Sequence, residues 1–294
     1  MDDIGKMDNA CQHCGALKFL KETASTCCNN GKVDLPTLPQ PPDQINKLWH
    51  DDTAEGRLFR QHSRSINNAV CLTSIKGKQK TFGGGFTPCV VYEGKVSYLV
   101  WPIQAADGER PCFAQLYVHD PSLETGLRLS GMTIPAGASE RQKKILEQVL
   151  VKVQDDLHKF NPYIHDFKQI MDIDDEQLGQ GKIVISAKSR PTGEHERRYN
   201  EQLNLQEVSI LTNSQPHDLV LQQRGGGLQS ISDLNPKGMP LHFTLLFPHG
   251  TYGWNPEERH SVESKSKRRV TTREFYVFYM NQRSRELDYL HLAG

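Results

Sequence analysis

The most regular pattern of apolar positions lies between Ile145 and Phe160, where Ile145, Leu146, Val149, Leu150, Val153, Leu157 and Phe160 recur every three or four residues and so share one side of a helix. Ser139 and Gln142 have capping-box spacing ahead of it, and Asn161-Pro162 supplies a stop, so the pattern predicts a helix over 139–160. A stripe of this width reads as the face that covers a sheet of its own domain. Upstream, Ile45, Leu48, Leu58, Phe59, Ile66 and Val70 predict short helices between 45 and 75. Strand signals follow at 86–92 and 95–101, either side of Glu93-Gly94 as a tight turn, and at 112–118, with Asp107-Gly108 turning between the last two. Beyond the acidic connector at 172–176, further strands are expected at 182–187, 206–211, 218–223 and 228–231.

Near the C-terminus, Thr271 and Glu274 form a second capping-box pattern. They open a helix whose Phe275, Tyr276, Phe278 and Tyr279 fall on one side, a packing face left partly exposed if a downstream domain is absent. The fold class expected is α+β. Residues 1–33 form a cysteine-rich segment, 34–44 a proline-rich spacer and 45–255 an α+β domain. Residues 256–270 form a basic linker, and 271–294 a helix leading into a domain not contained here. The spacer reading rests on DLPTLPQPPD, which sustains neither helix nor central strand.

Bulk properties narrow the function classes. Formal net charge is zero over 294 residues and hydrophobics make up 36%, so the chain can bury a core and any case for nucleic acid must rest on local clusters of cations. The start, MDDIGKMDNA, has no secretory pattern and no apolar run reaches the length of a membrane span, which gives a nuclear expectation with a cytoplasmic alternative. Seven cysteines without an extracellular signal read as reduced thiols and metal ligands.

Four of those cysteines stand in CQHCGALKFLKETASTCCNNGKV. Cys11 and Cys14 can reach one tetrahedral ion from a tight turn, and Cys27 or Cys28 can return to it about a dozen residues later, the pattern of a structural zinc knuckle. Because neighbouring side chains diverge, one of Cys27 and Cys28 is expected to ligate well. The fourth position is then open to the other, to His13 or to a distant residue. Cys71, Cys89 and Cys112 stand singly among apolar residues and read as buried small hydrophobes.

The cysteine segment with CGA, CC and GKV ahead of prolines resembles the N-terminal region of Helitron-type transposon proteins, the rolling-circle replicase and helicase family. The resemblance continues through FAQLYVHD at 113–120, GEHERRYNEQLNLQEVSI at 193–210, HDLVLQQRGGGLQSISDLN at 217–235, LLFPHGTYGW at 245–254 and RVTTREFYVFYMNQR at 269–283. It implies a DNA-handling protein whose nuclease and helicase parts lie downstream. The residues agree that this chain is not itself an enzyme. No histidine pair flanks a single apolar residue as a nuclease metal site would need, and neither Gly83-Gly84-Gly85 nor Gly225-Gly226-Gly227 leads into the Lys-Ser or Lys-Thr of a phosphate loop. Each glycine triplet reads as a hairpin turn. A zinc deaminase is excluded, since HxE with PCxxC is absent.

Two clusters of cations remain as DNA contacts. SRPTGEHERRYN sets Arg190, Arg197, Arg198 and Tyr199 on a loop between strands, the mix of charge and aromatic that single strands use, opposed by Glu194, Glu196 and Glu201. Lys265, Lys267, Arg268 and Arg269 form a basic run ahead of the C-terminal helix, fit for phosphates or for nuclear import. The sequence reading is therefore a non-catalytic N-terminal region of a Helitron-like protein, zinc-stabilised and binding or positioning DNA. The alternative is a transposon fragment acting as a structural or protein-interaction module without DNA affinity.

Overall fold

The computed structural model describes residues 5–23, 25–80, 91–101, 105, 108–118, 121–134, 137–169, 182–185, 208–211, 219–221, 229–232, 234–256, 258, 260 and 268–283. In chain order the elements are β1 (Asn9–Ala10), β2 (Leu17–Lys18), α1 (Asp43–His50), α2 (Ala54–Gln61), α3 (Ser63–Val70), β3 (Ser74–Lys80), β4 (Val91–Val100), α4 (Gln115–Val118), α5 (Pro121–Gly131) and α6 (Glu140–Phe160). They continue with α7 (Pro162–Gln169), β5 (Lys182–Ile185), β6 (Val208–Leu211), β7 (Leu219–Leu221), β8 (Gln229–Ser232), α8 (Gly238–His242) and α9 (Thr272–Met280). The fold is α+β, with small antiparallel sheets ordered β3-β4-β8 and β6-β5-β7. The chain divides into two compact units, Met1–Pro41 with Trp254–Gly294, and Pro42–Gly253.

In the larger unit, α6 follows its pattern. The Ser139 hydroxyl accepts the Gln142 N–H and the Gln142 side chain accepts the Ser139 N–H, so both halves of the capping box are present. Leu146, Val149, Leu150, Val153 and Leu157 are fully buried. Their partners are the helices α1, α2, α5 and α7, where the sequence had suggested a sheet. Asn161 ends α6, and its side-chain oxygen then accepts the N–H groups of Tyr163 and Ile164, capping α7, which begins at Pro162 where a missing N–H costs nothing.

Helix α1 solves a different problem. Its N-cap is Pro42, which has no side-chain acceptor. Asp156 of α6 takes that role: its carboxylate accepts the N–H groups of Gln44 and Ile45, each at 2.9 Å, and the Gln44 side chain at 3.2 Å. A buried carboxylate thus satisfies two orphan donors and sits at the positive end of the helix. Gly56 lets α2 approach the end of α1, since a Cβ there would lie 2.3 Å from the Asp51 carbonyl oxygen.

Beneath α5 lies a buried ion pair. Arg128 donates to the Glu124 carboxylate through Nε at 3.0 Å and a terminal nitrogen at 2.7 Å, lies 4.1 Å from the Tyr117 ring centroid, and also donates to the Ala69 carbonyl. His158 meets the same carboxylate oxygen at 3.1 Å through Nε2, while its Nδ1 accepts from Lys168 at 3.1 Å, an arrangement that places the imidazole proton on Nε2. Burial alone would raise the Glu124 carboxyl. The His158 hydrogen bond and the Arg128 charge outweigh it and hold the group at about 2.

Two further sequence expectations are corrected here. Residues 112–118 are not a strand: Phe113 takes a left-handed φ of 52° and Gln115–Val118 turns as α4. Ala114, Gln115, Leu116 and Tyr117 are all buried, and a run of successive buried positions carries no period that separates strand from helix. Glu93-Gly94 is not a turn either. Strand β4 runs through it, and the pairing with β3 shifts register between Lys76 and Lys78, so the irregularity is absorbed within the ladder. The strands expected near 182, 206, 218 and 228 are present as β5 to β8. Residues 86–90, Asp107, Cys89 and both glycine triplets lie outside the described residues.

Replacing Asp156 by alanine leaves two helix-terminal donors buried without an acceptor, so unfolding midpoints in urea are expected to fall by the equivalent of about 1–3 kcal/mol at unchanged slope. Glu124→Gln tests the ion pair through pH. The native carboxyl is depressed below its unfolded value, so its contribution, on the order of 3 kcal/mol, is complete above about pH 5 and is lost as pH falls toward 2. The stability gap between wild type and variant should close over that interval, and a gap constant down to pH 2 would contradict it.

Candidate metal centre

The smaller unit gathers residues from both of its segments around four thiols. Cys11 and Cys14 belong to the turn that joins β1 to β2, closed by the Cys11 N–H to Ala16 carbonyl bond at 2.8 Å and the Gly15 N–H to Cys11 carbonyl bond at 2.9 Å. Gly15 takes the left-handed φ of 73° that reverses the chain. Cys27 and Cys28 sit in a second turn, followed by three left-handed residues in succession, Asn29, Asn30 and Gly31. Asparagine and glycine are the residues that tolerate this conformation. The curl brings the Gly31 N–H to the Cys28 sulfur at 3.2 Å and the Val33 N–H to the Cys28 carbonyl at 3.0 Å.

All four sulfurs lie within 4.8 Å of one another. Cys11 and Cys28 are 3.8 Å apart, Cys14 and Cys27 3.6 Å, and Cys27 and Cys28 3.9 Å. A tetrahedral centre with metal–sulfur bonds of about 2.3 Å has sulfur–sulfur edges of about 3.8 Å, so the set fits such an ion. The expectation that only one of Cys27 and Cys28 would reach the site is corrected. Side chains diverge along an extended strand, but this pair stands in a turn, where both project to the same side. Neither His13 nor a distant residue is needed for a fourth ligand.

Electrostatics favour a cation among these sulfurs. Burial raises the Cys11 thiol, but backbone N–H groups of Cys14 and His13 and the Cys27 and Cys28 thiols more than offset it, bringing it down to about 6. Cys27 is pushed up to about 11 by burial and by its neighbours, and Cys28 is raised further still. Cys11 ionises readily, and Cys27 and Cys28 resist. Four thiolates this close require a positive charge to hold them.

The cluster is also a hydrophobic core. Cys11, Cys27 and Cys28 are buried with Ala16, Val33, Leu35, Val270, Phe275 and Phe278, and Cys14, Trp254, Tyr276 and Tyr279 pack against them. The aromatic face of α9 is therefore covered by the cysteine-rich segment rather than left open. Residue 283 continues the hairpin: Ala16 pairs with Arg283 as a bridge, and the Leu17 N–H donates to the Gln282 carbonyl at 2.7 Å. Glu274, whose carboxylate closes the capping box with Thr271, also accepts from the Asn29 side chain at 2.9 Å. The Tyr279 hydroxyl donates to the Pro36 carbonyl at 2.9 Å. Nothing in the sequence spacing joined these positions, which stand about 250 residues apart along the chain.

Among the expected nucleic-acid contacts, Arg268 and Arg269 are exposed immediately before Val270, whose side chain is buried in the cysteine core. Backbone bonds from His260 N–H to the Arg268 carbonyl and from Val270 N–H to the Glu258 carbonyl fix this stretch. Arg190, Arg197, Arg198, Tyr199, Lys265 and Lys267 lie outside the described residues. Of the lone cysteines, Cys71 is fully buried and pushed up to about 12, and Cys112 is half-buried and raised to about 11, in both cases chiefly by burial, which suits unreactive thiols. Among the described residues no helix is long and apolar enough to cross a membrane. No protein-family model matches the chain, and no curated protein matches it.

Proposed function

We propose that this chain is a non-catalytic, zinc-stabilised DNA-binding region of a Helitron-like protein, in which Cys11, Cys14, Cys27 and Cys28 hold one structural Zn2+ and the basic run at 265–269 contacts phosphates. The observation that carries the reading is the four-sulfur cluster with tetrahedral edge lengths, packed beneath a helix preceded by the exposed Arg268 and Arg269. An all-thiolate set selects a soft ion, and zinc is the redox-inert member that serves as a structural staple. The unit is small and its apolar core is built around the four cysteines, so metal binding supplies much of its folding free energy. The resemblance to Helitron-type proteins supplies the partner, with single-stranded DNA or a transposon end as its class and the nucleus as its setting.

Metal analysis of the purified chain is expected to find about one zinc per molecule, lost in a Cys11→Ser, Cys14→Ser double variant. Chelation, or acidification that protonates the thiolates, should expose residues 271–283 to protease. Metal-free protein with the same protection of α9 would contradict the assignment.

Binding to labelled oligonucleotides should be modest at low salt and should fall steeply as salt rises, because the local cations must supply the affinity in a chain of zero net charge. Alanine at Lys265, Lys267, Arg268 and Arg269 removes up to four phosphate contacts and lowers the log–log salt slope by up to about three for single strands. Tyr199→Ala should cost on the order of 1–3 kcal/mol on single strands alone. Absence of binding at low salt would favour a protein-interaction module.

A further inference from the structure

Resting on the metal reading above, we infer that Arg283 is a positioning residue of the metal centre: a buried cation that offsets the charge of the four-thiolate site and ties it to α9. Its residue is only 6% exposed. Two independent sets of contacts hold it there. Through the backbone it forms a single antiparallel bridge with Ala16, beside the Leu17 to Gln282 bond, which attaches residues 282 and 283 to the β1–β2 hairpin and its Cys11–Cys14 turn. Through the side chain, Nε donates to the carbonyl of Cys14 at 3.1 Å, a terminal nitrogen donates to the carbonyls of Phe278 at 2.7 Å and Asn281 at 3.1 Å, and the guanidinium lies 3.8 Å from the Phe278 ring centroid.

The charge argument is direct. A divalent ion with four thiolates carries a net charge of about −2, and this one sits in an apolar core where solvent screens little. Burying a guanidinium costs several kcal/mol unless an opposing charge repays it, and Arg283 donates to the backbone of Cys14, one of the four ligand residues. Its donors also fix the Cys14 carbonyl, and with it the orientation of the turn that presents two sulfurs. Groups of this kind around a metal set both ligand geometry and the electron density on the ligand atoms. Lysine keeps the charge and loses the planar fork; glutamine keeps a donor and loses the charge.

The test uses the full chain loaded with Zn2+ and, separately, with Co2+ as a spectroscopic stand-in. Zinc affinity is measured by competition with a chromophoric chelator, the sulfur-to-metal charge-transfer band is read in the cobalt form, and the rate of thiolate alkylation by iodoacetamide is followed by metal release. Arg283→Gln is expected to weaken zinc binding about ten- to a hundredfold, to move the charge-transfer band to lower energy as the sulfurs become richer in electrons, and to speed alkylation. Arg283→Lys keeps the charge but not the fork, and should fall between wild type and Arg283→Gln in affinity, band position and rate. Far-UV circular dichroism of both loaded variants guards against simple unfolding, and the lysine variant keeps the question decidable if the glutamine variant does not fold. Wild type that gives a four-thiolate cobalt spectrum, with variants unchanged or with lysine as damaging as glutamine, overturns the role of Arg283 alone. Wild type that gives no such spectrum overturns the metal reading and this inference with it.

Discussion

In the smaller unit, everything rests on the repulsion among four sulfurs held within 4.8 Å and on what overcomes it. Thiols at that spacing, buried with aromatic and aliphatic side chains, cannot all ionise unaided, yet two separate turns spend their backbone hydrogen bonds on keeping them together. The left-handed run Asn29-Asn30-Gly31 and the Gly15 reversal exist to aim sulfurs inward. The same sulfurs form the floor on which Phe275 and Phe278 pack, so ligand geometry and hydrophobic burial are one construction. A small unit built this way has little stability to spare if either part is lost.

The larger unit handles charge in the opposite manner. There the buried carboxylates Asp156 and Glu124 are met at once by protein donors. Asp156 finds two helix-terminal N–H groups, and Glu124 finds the Arg128 guanidinium and His158. Such pairs contribute more to fixing which helix meets which than to net stability, because desolvation cancels much of their attraction. Asp156 joins α1 to α6, while Glu124, Arg128 and His158 join α5, α6 and the carbonyl of Ala69 in α3. The apolar stripe of α6 is permissive about partners; these polar contacts are not.

The elements with local signals were legible in the sequence. Both capping boxes, the α6 stripe, the Asn161-Pro162 stop, the strands β5 to β8 and the packing role of the α9 aromatics follow from spacing alone, because each depends on residues within a turn or two of one another. The cysteine site was legible as to residue type, but its fourth ligand was not, since whether Cys27 and Cys28 converge depends on backbone dihedrals that sequence constrains only loosely. Residues 112–118 misled because uninterrupted burial has no period. Asp156 and Arg283 were invisible for a simpler reason: an aspartate inside a helix and an arginine after one look like ordinary surface residues, and their partners lie more than a hundred positions away.

The bond between Arg283 and the Cys14 carbonyl spans 269 positions of the chain. Closing a loop of that length carries an entropic cost that grows only slowly with length, so the separation is tolerable at equilibrium. Its consequence is in time. During synthesis, the cysteine turns emerge well before residue 283, which follows Cys14 by 269 positions. In that interval the sulfurs have each other, and no roof. The intervening unit can complete its own helices meanwhile, which makes the smaller unit later than the larger one to acquire its structure.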